Sequence, residues 1–323
     1  MTTVTLNDGV SIPLLGYGTG TAHIRGKLAS SSSFVLPSSD MIDRNIVDNI
    51  KLAIRAGYRH LDTAEMYQTE GELGTAIKEV VDEGVVKRED LFVTTKISSE
   101  FALAEKKIDI SLKKLGLDYV DLYLVHTPYL KGPDADLHAA WVHMQAVKAS
   151  GKARSIGVSN YEESHLAGTL AGIGTGTVPS INQIEFHPYM QHRGLTEFSK
   201  SCAEGRGITV SAYGAMHPVT RNPNPGGPLD QTLERVAATH GVTIGLVCLR
   251  WCIDQGVVVI TTTLKEERMK EYLRVFDFKL SEDEVKDISD AGVRSLPNGE
   301  ELVPRAVQYH RKLEVQGEAK KIS

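Results

Sequence analysis

Eight short apolar runs rich in β-branched residues recur along this 323-residue chain, and stretches with helical spacing separate them. The runs are LLGYGT (14–19), RHLDT (59–63), LFVTTK (91–96), VDLYLVH (120–126), SIGVS (155–159), INQIEF (181–186), TVSAY (209–213) and VVVITT (257–262). Parallel strands must be joined by long crossovers, usually helices. Eight such units in unbroken succession predict a parallel (β/α)8 barrel. The helical stretches carry their own stops. In NIVDNIKLAIRAG, Ile46, Ile50, Ala53 and Ile54 share one face and Gly57 ends it; Gly116 and Gly151 end ALAEKKIDISLKKLG and AAWVHMQAVKASG in the same way. The competing doubly wound sheet calls for GxGxxG after its first strand. Neither GYGTGT (16–21) nor GIGTGT (172–177) spaces its glycines so.

A chain of this length could hold two domains, but no long linker divides it, and a single barrel domain over 1–323 is expected. LASSSSFVLPSSD (28–40) reads as a short loop ending in helix-capping residues, and GAMHPVTRNPNPGGP (214–228) as a candidate lid. Asp8-Gly9 between apolar runs in VTLNDGVSIP predicts a β-hairpin that caps the barrel ahead of its first strand.

Charge and cysteine content narrow the partners. A net charge of −5 argues against nucleic acid or an anionic membrane. No apolar run reaches the roughly 18–20 residues a membrane helix needs, and MTTVTLNDGV lacks a basic start followed by an apolar core. A cytoplasmic protein is expected. The three cysteines, Cys202, Cys248 and Cys252, form no CxxC pair, which suits a reducing compartment. Cys248 and Cys252 share a helix face and read as core, and no metal-ligand cluster is legible, so no metal is expected.

In a parallel barrel every C-terminal strand end lies on one face, where such barrels keep their sites. Asp62, Lys96 and His126 fall at three consecutive strand ends, 34 and 30 positions apart (96−62 and 126−96), and Tyr67 follows Asp62 in HLDTAEMYQTEGELG. Taken singly, each has an ordinary reading: a structural ion pair, a core histidine, a loop aromatic. Their placement on successive units is what favours a reaction centre. A phenol near pKa 10 is a reluctant acid, and a neighbouring ammonium should lower that pKa. Asp62 would hold Lys96 charged, and His126 could orient a carbonyl oxygen. The set suits proton delivery to a developing alkoxide; it has no nucleophile of its own and implies a hydride cofactor.

The motifs LGYGTGT, GYRHLDTAEMYQTEGELG, KLGLDYVDLYLVHTP, GKARSIGVSN, INQIEFHPYMQ and RVFDFKLSEDEV, long and in order over nearly the whole chain, resemble those of the aldo-keto reductase superfamily. The resemblance implies NADPH-dependent reduction of aldehydes or ketones, with Tyr67 as general acid assisted by Asp62, Lys96 and His126. It implies that Ser159, Asn160 and Gln183 hydrogen-bond the nicotinamide carboxamide, that Tyr213 stacks on its ring, and that Gly18, Thr19, Gly20 and Asp62 lie against the cofactor. Many relatives read IPKS on the last strand; here Thr262 stands at the lysine position, in ITTTLKEERMKEYL. Thr262 and Thr263 lead into a helix start, which favours anions, and Lys265 and Arg268 lie one turn apart as partners for a 2′-phosphate. VTT before Lys96 and TTxxKxxR at this end resemble the fungal ketoamide and conjugated-polyketone reductase branch. Gly20 and Thr127 stand where many relatives carry tryptophan, so an open pocket is expected, shaped by His23, Ile24, Tyr129 and Met216 beside Tyr67 and His126. The expected partner is a small carbonyl compound, and the expected state a monomer. The alternative the family offers is a cofactor-binding regulatory subunit of the same fold with vestigial chemistry.

Overall fold

The computed structural model describes residues 2–20, 23, 42–129, 136–173, 176–202, 207–296 and 302–312. The eight apolar runs become the staves of a closed parallel barrel: β3 (Leu15–Gly18), β4 (His60–Asp62), β5 (Phe92–Ile97), β6 (Val120–Val125), β7 (Ala153–Ser159), β8 (Ile181–Glu185), β9 (Thr209–Tyr213) and β10 (Val258–Thr261). The ring closes where β10 pairs with β3, Val259 facing Leu15 and Thr261 facing Tyr17. β4 to β8 are buried along their whole length, as strands covered on both faces must be. Arg154 of β7 is the exception, reaching out to Asp121.

Helices cover the outside: α1 (Arg44–Ala56), α2 (Glu70–Asp82), α3 (Ala104–Leu115), α4 (Leu137–Ala149), α5 (Glu163–Leu170), α6 (Arg193–Ser201), α7 (His217–Thr220), α8 (Pro228–His240), α9 (Ile244–Asp254), α10 (Glu266–Leu273) and α11 (Glu282–Arg294). The apolar stripe Ile46, Val47, Ile50, Ala53 and Ile54 turns α1 inward. Asp43 caps it by accepting the Asn45 N–H at 2.9 Å, and Gly57 closes it at φ +124. The cap expected within 28–40 lies outside the described residues. Two glycines set how closely elements approach. A Cβ at Gly74 of α2 would sit 2.3 Å from the Leu115 carbonyl oxygen, and one at Gly292 of α11 would sit 2.0 Å from that of Pro188.

The N-terminal hairpin forms as expected, β1 (Thr3–Thr5) pairing antiparallel with β2 (Ser11–Pro13). Asn7 donates to the carbonyls of Pro179 and Gly207, which precede β8 and β9, so the hairpin closes the end of the barrel opposite the strand tips. Asp8 pairs with Lys148 at 2.6 Å and fixes it there. Among the described residues no single helix is long and apolar enough to cross a membrane; the apolar pair α8 and α9 bends by 92°.

Candidate active site

At the C-terminal ends of β4, β5 and β6 the strands deliver Asp62, Lys96 and the His126 that follows Val125. Lys96 Nζ donates to Asp62 Oδ1 at 2.6 Å and to the Thr63 carbonyl at 2.8 Å. Gln183 Nε2 donates to the other carboxylate oxygen of Asp62 at 2.9 Å, so β8 braces the pair from across the barrel. A charged pair this deeply buried persists only because such partners satisfy it. Tyr67 closes a short 3-10 turn (Glu65–Tyr67) above Asp62, and its hydroxyl lies 3.4 Å from His126 Nε2. Ser98 Oγ lies 3.3 Å from His126 Nδ1.

Burial dominates the protonation of this group. It raises Tyr67 well above the usual phenol range, with Asp62 adding to the rise. It lowers His126 well below the usual imidazole range, helped by the Lys96 charge. Lys96 is lowered by burial against the opposing pull of Asp62. The expected lowering of Tyr67 by Lys96 is therefore not seen. The ammonium is 5.1 Å from the ring centroid and directs its hydrogen bonds to Asp62, whose own charge disfavours phenolate. The resting site holds a neutral phenol beside a neutral imidazole.

A cavity of about 810 Å³ opens over these groups. Gly18, Gly20, Ser159, Asn160, Gln183, Tyr213 and Thr262 line one side, with Asp62 at its base. Asn160 adopts the left-handed φ of +63, which carries its amide back over the mouth. The amide donates to the His126 carbonyl at 2.8 Å and accepts from the Tyr213 hydroxyl at 2.7 Å. Ser159 Oγ donates to the Gln183 carbonyl at 2.7 Å. Hydroxyls and amides beside an aromatic face match what a carboxamide-bearing ring needs, and Gln183, which lines the cavity, spends one Nε2 N–H on Asp62 and carries a second. A nicotinamide fits this donor set.

The Aldo/keto reductase family model matches residues 15–292. The chain belongs to the aldo/keto reductase family. It is an NAD(P)H-dependent oxidoreductase acting on carbonyl groups. Aldo-keto reductase family 1 member C23-like protein of Equus caballus is 36% identical over 307 residues, covering 88% of this chain and 89% of that protein. Aldo-keto reductase family 1 member C1 of Homo sapiens is 35% identical, covering 88% and 90%. Among solved structures, a Bombyx mori aldo-keto reductase in complex with NADP aligns with a TM-score of 0.76 at 34% identity, covering 92% of this chain and 95% of that one.

Several expected residues stand elsewhere in this reductase. Thr19 turns its hydroxyl into a buried cluster with Thr63 and Thr69, at 3.0 and 2.8 Å, away from the mouth. His23 is buried on the Tyr17 hydroxyl at 3.0 Å and is not among the described residues that line the cavity. Ile24 lies outside the described residues. Thr127, Tyr129 and Met216 do line the cavity. Gly20 does not simply open the pocket, because a Cβ there would lie 2.6 Å from the Tyr67 ring; the absent side chain makes room for the phenol. Thr263 is buried, its carbonyl accepting from Tyr17 and its hydroxyl from the Lys265 N–H. Lys265 and Arg268 are exposed at the start of α10, beyond the cavity, and share that turn with Glu266 and Glu267.

The far wall comes from the C-terminal tail, whose place the sequence alone does not fix. A helix over 305–312 comes back across the mouth, and Arg305, Ala306, Tyr309 and His310 line the cavity. His310 stacks on Tyr129 with ring centroids 4.1 Å apart, and Arg305 lies over the Tyr213 ring. The residues 214–228 stand beside it, anchored where Asn222 accepts from Tyr189 and Asn224 donates to the Ser295 carbonyl. No metal-ligand cluster is legible along the chain, yet the ligand atoms of Glu185, His187 and His217 lie within 4.8 Å of one another. The fold joins the tip of β8 and the turn after it to the start of α7, a proximity that spacing along the chain does not reveal.

Proposed function

We propose that this reductase converts aldehydes or ketones to alcohols with NADPH, and that Tyr67 donates the proton. The observation that carries the reading is the meeting of Tyr67, His126, Lys96 and Asp62 at one cavity floor, next to a donor set suited to a nicotinamide. When bound, the reduced nicotinamide supplies the hydride. Ser159, Asn160 and Gln183 would hold its carboxamide and Tyr213 would support its ring. With Ser98 donating to Nδ1, His126 keeps its proton on Nε2 and can donate it to the substrate oxygen. Tyr67, held neutral by burial and by Asp62, is an acid only toward a strong base. A developing alkoxide is such a base, so the phenol gives up its proton as the carbonyl is reduced and not before. Thr262, Thr263, Lys265 and Arg268 would face the adenosine end, the two cations serving a 2′-phosphate.

The VTT and TTxxKxxR segments support a specificity like that of the fungal ketoamide and conjugated-polyketone reductases, within a single-domain, monomeric, cytoplasmic enzyme whose partner is a small carbonyl compound. A panel of aldehydes, α-ketoamides and conjugated diketones, each followed by loss of cofactor absorbance with NADPH and NADH in parallel, tests the reading. Turnover with activated ketones and preference for NADPH are expected. Tight NADPH binding without turnover of any carbonyl would instead mark a cofactor-binding regulatory subunit.

A further inference from the structure

Glu185 at the tip of β8, His187 two residues later and the half-buried His217 at the start of α7 form a group beside the mouth, apart from Tyr67 and its partners. His217 Nδ1 lies 2.8 Å from His187 Nε2 and 3.4 Å from Glu185 Oε1, and the third edge of the triangle, His187 Nε2 to Glu185 Oε1, is 3.9 Å. A tetrahedral ion about 2.0–2.1 Å from each ligand atom holds those atoms roughly 3.3 Å apart. Each edge is within about 0.6 Å of that spacing. Two imidazole nitrogens and one carboxylate oxygen form a donor set for zinc-type ions, whereas calcium and magnesium take mostly oxygen. Glu185 and His187 are fixed, the first by its strand and the second by the bridge between His187 and Met190. His217 lines the cavity and gives an ion its way in.

The same carboxylate already holds a cation of the chain. Arg305 Nε donates to Glu185 Oε1 at 2.6 Å, and the Arg305 backbone N–H donates to Oε2 at 2.7 Å. These two bonds tie the start of the 305–312 helix to the barrel. A dication on Oε1 would lie within a few ångströms of the guanidinium, and like charges that close in a partly desolvated site repel strongly.

We propose that Glu185, His187 and His217 bind one zinc-type divalent cation, and that the ion displaces Arg305 and frees the tail helix from the mouth. Zinc and the tail thus compete for one carboxylate. The ion takes no part in hydride or proton transfer, because its ligands are separate from Tyr67, His126, Lys96 and Asp62.

The test uses the full chain after chelator treatment, with zinc affinity measured by competition against a chromophoric chelator and Co²⁺ absorption as the readout of coordination. The intact protein should bind one zinc. His217→Ala should weaken it by at least about tenfold, since one of three protein ligands is lost, and should lose the visible bands of tetrahedral Co²⁺. Arg305→Ala should strengthen zinc binding, and thermal melts of both variants check that they fold. Zinc should also speed tryptic cleavage within 302–312 in the intact protein but not in His217→Ala. Zinc binding that is equally tight in His217→Ala, or absent from both the intact protein and Arg305→Ala, overturns the site. Zinc bound with the tail still protected, or no gain in Arg305→Ala, overturns the competition. None of these readouts involves turnover, so they are decided separately from the proposed reaction.

Discussion

Replacing Tyr67 with phenylalanine removes one hydroxyl and nothing that the barrel rests on, because the ring stays half-buried against His126. Turnover should fall by about 10²–10⁴, the usual worth of a positioned general acid, while NADPH affinity and thermal stability hold. A variant retaining more than about a tenth of the rate in single turnover would exclude Tyr67 as the donor. Lys96→Met should behave differently. It leaves the buried Asp62 carboxyl with Gln183 as its side-chain partner among the described residues, so stability should drop by about 3–5 kcal/mol alongside activity, read as a lower urea midpoint. The contrast follows from burial, and burial also explains what the sequence could reveal at this scale. Asp62, Lys96 and His126 were legible because a strand end fixes where a side chain goes. The direction of the Tyr67 shift was not, because it depends on Lys96 Nζ turning to Asp62 and the Thr63 carbonyl. Nor was Arg305, whose partner Glu185 lies 120 positions away (305−185).

Elements with strong apolar periodicity were readable in advance, and those shaped by distant contacts were not. All eight strands lie within a residue or two of the runs that announced them, since fully buried strands demand such runs. The 305–312 helix carries no such stripe; its residues are half-buried or exposed, and its place is fixed by Glu185 and Tyr129. Packing between elements also hides in single glycines. Gly292→Ala would improve the intrinsic helix propensity of α11 by up to about 1 kcal/mol. It would also drive a methyl into the Pro188 carbonyl, which is backbone and cannot swing aside. The clash should win, with a net loss of about 1–3 kcal/mol and a lower urea midpoint at unchanged slope. The start of α10 yields the cofactor test. Arg268 and Lys265 are exposed there among two glutamates, so their field is partly cancelled and screened by salt. Arg268→Ala should weaken NADPH about tenfold and leave NADH nearly unchanged, with a smaller loss for Lys265→Ala. Equal losses for the two cofactors would remove Arg268 from the phosphate site.

Over the whole molecule, the dense barrel interior makes stability depend on pH through a histidine that catalysis does not use. His60 is buried on β4, its Nε2 3.1 Å from Thr94 Oγ1 and its ring packed edge-on against Phe92. Burial pushes its pKa from the usual 6.5 down to about 4, more than Asp62 pulls it up. The unfolded chain therefore binds a proton that the folded chain refuses between those two values. Stability is whole above about pH 6.5, falls as the pH drops toward about 4, and loses nothing further from this group below that. The full difference is about 2.5 pKa units, or about 3 kcal/mol, with about 2 kcal/mol gone by pH 5. Burial would raise Glu185, but the hydrogen bonds from Arg305 and the nearby His187 outweigh it and hold the carboxyl down to about 2, so its contribution is lost only below about pH 4.5. The two windows separate, and urea midpoints measured from pH 7.5 to 5 report the imidazoles. His126, also held neutral by burial, should add a second share over the same range. His60→Gln removes a titrating group whatever its packing costs, so its midpoints should fall less steeply with pH even if all of them are lower. An unchanged slope in that variant would mean that His60 is protonated without strain in the fold, and that the barrel interior is wetter than its packing implies.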